Sequence, residues 1–248
     1  MIERHLDIAT ADGRMNSFVV HPDAEGSPAP VVLFCMDAPG KREELHDMAR
    51  RIAAVGYFVV LPNLYYRRSR DYVLKERSEA GMAEMFAHMA TLDRTTSERD
   101  TEALLAFVDA DPAADGRRAG AVGYCMSGPI VMWAAAAFPD RLACIASIHG
   151  ANMTTDRPDS PHRMAPKIRC ESYFACAEID KWAPPADIDK LAAALRDAGT
   201  PHRIEWYPGI AHGFVFPQRV GVYHRDSAER HYERLFALFD RTLRRTRA

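Results

Sequence analysis

The sequence predicts an α/β fold: a mostly parallel central sheet with helices on both faces. Short, continuous apolar runs such as P-V-V-L-F-C, Y-F-V-V-L-P and L-A-C-I-A-S-I have the pattern of strands buried on both faces. They alternate with segments of helical period over most of the chain, the order that builds a parallel sheet. The length of 248 residues suits one sizeable core, so residues 1–248 are expected to form a single domain.

The elements follow in order. I-E-R-H-L-D-I, a turn at Ala11-Asp12-Gly13 and M-N-S-F-V-V read as a hairpin, followed by a proline-rich loop over residues 21 to 30. P-V-V-L-F-C is a strand. Glu43 to Val55 has apolar residues at 45, 48, 49, 52 and 53, one helical face, closed by Gly56. Y-F-V-V-L-P is the next strand and completes a βαβ start. Residues 62 to 96 are the least regular part. They hold the arginines 67, 68 and 70, read as a solvated loop, and a Met-rich helix around G-M-A-E-M-F-A-H-M that can serve as adaptable core or line an apolar pocket. Ser97 to Ala110 reads as a helix with Ser97 as its cap. Further strands fit A-G-A-V-G-Y, L-A-C-I-A-S-I, R-C-E-S-Y-F-A-C-A and H-R-I-E-W-Y; helices fit Pro129 to Phe138, Ala186 to Ala198 and Tyr223 to Leu243.

A composition of 48% hydrophobic and 27% charged residues with a net charge of -2 describes an ordinary globular chain. It gives no reason to expect nucleic acid or a membrane as partner. No stretch approaches the roughly 18 apolar residues of a membrane span, and the start lacks a signal-like run, so a cytoplasmic location is the expectation. Five cysteines at 35, 125, 144, 170 and 176 are odd in number and form no C-x-x-C pair, which argues against a disulfide framework or zinc site. Cys35, Cys144 and Cys170 sit in or beside apolar runs as small hydrophobes. The histidines have no H-E-x-x-H spacing and G-x-G-x-x-G is absent, so neither metal nor cofactor is implied.

Cys125 lies between a strand and a helix, in G-Y-C-M-S-G. A nucleophile on such a turn needs small residues two before and two after it, so that strand and helix can pack closely. Centred on Cys125 these are Gly123 and Ser127; centred on Ser127 they are Cys125 and Pro129, a poor fit. Downstream, the strand S-Y-F-A-C-A runs into Glu178 and Asp180, and R-I-E-W-Y leads to His212. The order nucleophile, acid, histidine is that of α/β-hydrolases, and strand carboxyl ends are where open α/β sheets bind ligands.

G-Y-C-M-S-G, A-E-I-D-K-W-A-P and Y-P-G-I-A-H-G-F resemble the three signature regions of the dienelactone hydrolases, cysteine-dependent members of the α/β-hydrolase fold. V-V-L-F-C-M-D-A-P-G and G-Y-F-V-V-L-P-N-L-Y extend the likeness from residue 30 onward. The resemblance implies Cys125 as nucleophile, His212 as base and Asp180 rather than Glu178 as the orienting carboxylate. It implies a small ester or lactone substrate and a thioester intermediate. An acyltransferase using the same thioester and a ligand-binding protein on the same scaffold are the rival readings. By fold logic the oxyanion donors are the backbone N–H groups of Met126 and Ala38. Asp37 stands where the family has a glutamate beside the cysteine, and is either an activating group or a turn carboxylate. Pocket candidates are Tyr124, Phe86, Met89, Trp182, Phe214 and Phe216. The last stands where the family often carries an arginine, so a carboxylate clamp is missing. His149, in S-I-H-G-A, reads as a packed or hydrogen-bonded histidine.

Overall fold

The computed structural model describes residues 1–23 and 27–244; residues 24–26 of the expected proline-rich loop lie outside the described residues. The chain divides into two compact units, Met1–Arg117 and Arg118–Ala248.

In the first unit, β1 (Ile2–Thr10) and β2 (Gly13–His21) form the expected hairpin, closing at the pair Thr10 and Gly13. Gly13 has φ +138°, open to glycine and strained for other residues. β2 pairs antiparallel with β4 (Phe58–Pro62), and β4 pairs parallel with β3 (Ala29–Cys35). β3 and β4 are buried nearly throughout, which is why they read as continuous apolar runs. Between them α1 (Glu43–Ala54) buries Leu45, Met48, Ala49, Ile52 and Ala53. Each large aliphatic side chain among these contributes about 1.5–3 kcal/mol by leaving water. Gly56, at φ +102°, ends the helix in the left-handed conformation.

α2 (Glu79–Met89) buries Met85 and His88, with the Ser78 side chain accepting a hydrogen bond from the Gly81 N–H. α3 (Arg94–Ala110) starts three residues before the expected point. Its cap is Asp93, whose carboxylate accepts from the Thr96 N–H while the Asp93 N–H donates to the Thr96 hydroxyl. This reciprocal capping box leaves Ser97 inside the first turn, where its hydroxyl donates to the Asp93 carbonyl.

The arginine cluster is not simply a solvated loop. Arg67 is mostly buried, donating to both oxygens of Asp100 at 2.6 and 2.9 Å and to Asp12 at 2.8 Å. Burial pushes the Asp100 carboxyl up from its ordinary range, opposed by Arg67 and Tyr66. Asp100→Ala is expected to lower unfolding stability by about 3 kcal/mol, because removing one partner of a buried pair leaves a charge poorly compensated. Arg70→Ala, which breaks an exposed pair with Asp7, should have a much smaller effect. Denaturant titration of the two variants checks both.

In the second unit, most of β5 (Ala114–Tyr124), β6 (Leu142–Ile148), β7 (Glu171–Ile179) and β8 (His202–Ala211) run parallel in that order. A 3-10 turn, Cys125–Ser127, leads from β5 into α4 (Gly128–Ala137); α5 (Pro185–Asp197) joins β7 to β8, and α6 (Arg225–Leu243) ends the described chain. Gly120 and Gly123 are an odd number of residues apart on β5 and so face opposite sides of the sheet. A Cβ at Gly120 would meet Phe239 and Leu243 of α6, whereas one at Gly123 would meet Val131 of α4 and fall on the Ser127 carbonyl oxygen. Helices therefore cover this sheet on both faces, and the four strand ends at its carboxyl edge share one side. Among the described residues no helix is long and apolar enough to cross a membrane.

Candidate active site

At the carboxyl edge of the second unit, the first residue past each strand is a chemically distinctive one. Cys125 follows β5, His149 follows β6, Asp180 follows β7 and His212 follows β8. Parallel pairing brings these four positions to the same edge.

Cys125 is held at φ 55°, a left-handed conformation that a non-glycine residue adopts at some energetic cost. Close strand-to-helix packing at Gly123 and Ser127 enforces the bend. Ser127 is fully buried, in keeping with the small-residue role read from its spacing. His212 Nε2 lies 3.1 Å from Cys125 Sγ, and its Nδ1 lies 2.6 Å from Asp180 Oδ2. An ionised carboxylate can only accept, so Nδ1–H donates to Asp180 and Nε2 faces the thiol. The other oxygen of Asp180 accepts from the Trp182 N–H at 2.9 Å. Glu178, the competing carboxylate, is exposed and accepts from the Gly209 N–H at 2.6 Å. It braces the turn, and Asp180 meets the histidine.

Burial alone would push the His212 imidazole down. The hydrogen bond to Asp180 and the contact with Cys125 outweigh it and raise the group to about 9. The imidazole is therefore held toward its protonated form, with Nδ1 on the carboxylate and Nε2 on the sulfur. The other four cysteines are free and buried. Burial pushes Cys35, Cys144 and Cys176 up to about 12 and Cys170 to about 11, so they remain protonated thiols. Among the described residues no group of three or more His, Cys, Asp or Glu is arranged to hold a metal ion.

The remaining predicted positions lie as follows. Met126 is buried on the 3-10 turn directly after Cys125. Tyr124, Phe214 and Phe216 are fully buried, and each packs on the ring of His149. Trp182 is 37% exposed beside Asp180. In the first unit, Asp37 is fully buried and gripped by Arg42, whose Nη1 and Nη2 donate to its two oxygens at 2.5 and 3.3 Å; Arg42 also binds Glu44. Ala38 is buried, with its carbonyl accepting from the Tyr65 hydroxyl. On α2, Phe86 is exposed and Met89 half-buried. Two contacts escaped the sequence reading. Arg219 donates to the His212 carbonyl at 3.3 Å and lies over the Phe216 ring, and His149 sets its ring against His212. The signal for His149 was its place directly after a buried parallel strand.

A sequence model described as the dienelactone hydrolase family matches residues 15–243. The chain belongs to the dienelactone hydrolase family. Membership makes it a hydrolase of the ester and lactone class. A Synechocystis protein named "Putative carboxymethylenebutenolidase" is 28% identical over 236 residues, covering 92% of each chain. The "Carboxymethylenebutenolidase" of Pseudomonas putida is 22% identical over 216 residues, 87% of each. Among solved structures, a "Putative Dienelactone Hydrolase" from Klebsiella pneumoniae superposes with a TM-score of 0.87 at 22% identity, covering 96% of this chain and 98% of that one. That likeness shows the fold, an α/β-hydrolase of the dienelactone hydrolase type.

Proposed function

We propose that this dienelactone hydrolase family member cleaves a small ester or lactone through a thioester on Cys125, with His212 as the base and Asp180 as its orienting carboxylate. The observation that carries the reading is the unbroken chain Sγ to Nε2 and Nδ1 to Oδ2, at 3.1 and 2.6 Å, on a left-handed Cys125. As Nε2 takes the thiol proton, Sγ attacks the substrate carbonyl carbon. The negative charge passes to the carbonyl oxygen, where the Met126 N–H serves as a donor. Collapse breaks the bond to the leaving oxygen, which takes the proton from Nε2; in a lactone this oxygen stays tethered. Once the sulfur is acylated, the Cys125 contribution that raises His212 is gone, and the imidazole becomes free to act as a base. It takes a proton from water as the hydroxyl attacks the thioester, and the thiol is restored. The sum is ester plus water giving acid plus alcohol.

Phe216 is fully buried among rings, so that position offers no cation for a substrate carboxylate. We accordingly place the substrate among esters and lactones that do not need an anion clamp there. The test is an acid quench during turnover of aryl esters, lactones and dienelactones, followed by mass spectrometry. The expected result is an acyl adduct on the Cys125 peptide that hydroxylamine removes. Turnover in the steady state with the adduct on another residue would overturn the assignment. Competing alcohols or amines appearing in the product would instead identify an acyltransferase.

A further inference from the structure

The loop after β6, residues 149 to 152, touches all three branches of the proposed triad. The Ala151 N–H donates to the Cys125 carbonyl at 2.9 Å. The Asn152 N–H donates to the Trp182 carbonyl at 2.9 Å, and Trp182 in turn holds Asp180. The His149 ring meets the His212 ring edge to face, with centroids 4.7 Å apart. The loop is anchored to β7 by the His149 N–H, which donates to the Ala175 carbonyl at 2.7 Å. It is also packed against the nucleophile's turn: a Cβ on Gly128 would come within 2.7 Å of the Gly150 Cα.

This loop is costly. Among the described residues, the non-glycine residues with positive φ are Cys125, His149 at 40° and Asn152 at 54°. Backbone strain of this kind persists where surrounding structure over-determines it, and it clusters at active sites. His149 is 1% exposed, and neither of its ring nitrogens has a hydrogen-bond partner among the described residues. An unpaired buried polar group is destabilising. A histidine here adds strain and desolvation together, so core packing alone does not account for it.

We propose that the 149–152 loop positions the triad and that His149 is its positioning residue, a buried ring that fixes the plane of the His212 imidazole between Cys125 and Asp180. The proposal rests on the triad reading given above. Histidine fits because it tolerates the left-handed backbone better than most ring-bearing residues. The charged and titratable groups facing it are His212, Arg219 and, from α6, His231, with the Tyr124 hydroxyl on β5 directed to His231 at 3.3 Å. Burial first, then the positive charge of these neighbours, keeps His149 well below the ordinary histidine range. It therefore stays neutral while His212 carries its proton, and adds no repulsion to that cation.

The experiment compares wild type, His149→Asn and His149→Phe by kcat, KM and the pH profile of Cys125 alkylation with iodoacetamide. Asparagine accepts the left-handed backbone but removes the ring; phenylalanine keeps a ring and removes the nitrogens. His149→Asn is expected to lower kcat by about tenfold or more with KM nearly unchanged, since small misplacements of catalytic groups cost up to about 10²-fold. It should also displace the alkylation profile, which a purely structural loss would not do in the folded fraction. His149→Phe should restore both to near the wild-type behaviour. A His149→Asn enzyme with wild-type kcat and profile overturns the proposal, as does a folded His149→Phe enzyme with poor kcat, which carries the test if His149→Asn does not fold. Turnover that survives Cys125→Ala would instead sink the triad reading itself.

Discussion

Cys125→Ala is expected to cut kcat by about 10⁴-fold or more while leaving the unfolding transition close to wild type. Loss of a nucleophile removes the covalent path altogether, and residues acting as one unit lose nearly their whole effect when one is missing. What remains is substrate binding and the proposed Met126 N–H donor, a residue of rate over water rather than a second mechanism. The fold should tolerate the change because the bend at 125 is set by the Gly123 and Ser127 packing and by the Ala151 N–H on the Cys125 carbonyl, all of which alanine keeps. The left-handed φ of 55° costs alanine about what it costs cysteine. The variant should also become inert to iodoacetamide at neutral pH, since the other four cysteines are buried thiols. Steady-state kinetics, thermal melts and intact-mass alkylation check the three parts. Wild-type kcat in a folded variant would overturn the nucleophile assignment.

The sequence was most legible where a period or a steric rule leaves few alternatives. Strands buried on both faces, such as β3 and β4, announce themselves as continuous apolar runs, and α1 by its buried face. The turn at Cys125 was legible because close packing two residues away on either side admits only small residues, and Gly123 and Ser127 make that packing. The preference for Asp180 over Glu178 was read from the family motif; Asp180 lies on His212, while Glu178 accepts from the Gly209 N–H. The start of α3 was misplaced because Ser97 and Asp93 are both good caps, and only the reciprocal bond to Thr96 separates them. The burial of Arg67 against Asp100 depends on partners 33 residues apart, which no local pattern records. His149 was read as packed or hydrogen-bonded; it is packed, with no partner for either ring nitrogen among the described residues. Its contact with His212 arises from strand ends far apart in the chain, and its missing hydrogen bonds could not be seen without its neighbours.

Asp180→Asn is expected to lower kcat by about 10²–10³-fold and to change how stability depends on pH. In the proposed triad the carboxylate accepts from His212 Nδ1, which leaves Nε2 to take the thiol proton. An amide can turn its NH₂ toward Nδ1 and favour the opposite tautomer, in which Nε2 carries a proton and cannot receive another. In serine triads this exchange costs about 10⁴-fold. A thiol is more acidic and more nucleophilic than a hydroxyl, so the loss here should be smaller. The stability effect follows from linkage. In the folded protein His212 is raised to about 9 from the ordinary 6.5, so the folded state binds its proton more tightly than the unfolded state. The resulting stabilisation is fully present below pH 6.5 and is lost as pH rises through about 9; its size is about 3 kcal/mol at about 1.4 kcal/mol per unit. After burial, which opposes it, the hydrogen bond to Asp180 is the leading cause of that shift. In Asp180→Asn, burial should gain the upper hand and much of the decline between pH 6.5 and 9 should vanish. Urea titrations of both proteins at pH 6, 7.5 and 9, with wild type losing stability over the series and the variant staying nearly level, test this. A parallel decline in both would mean that the proton is held by groups other than Asp180, and would remove the carboxylate from its orienting role.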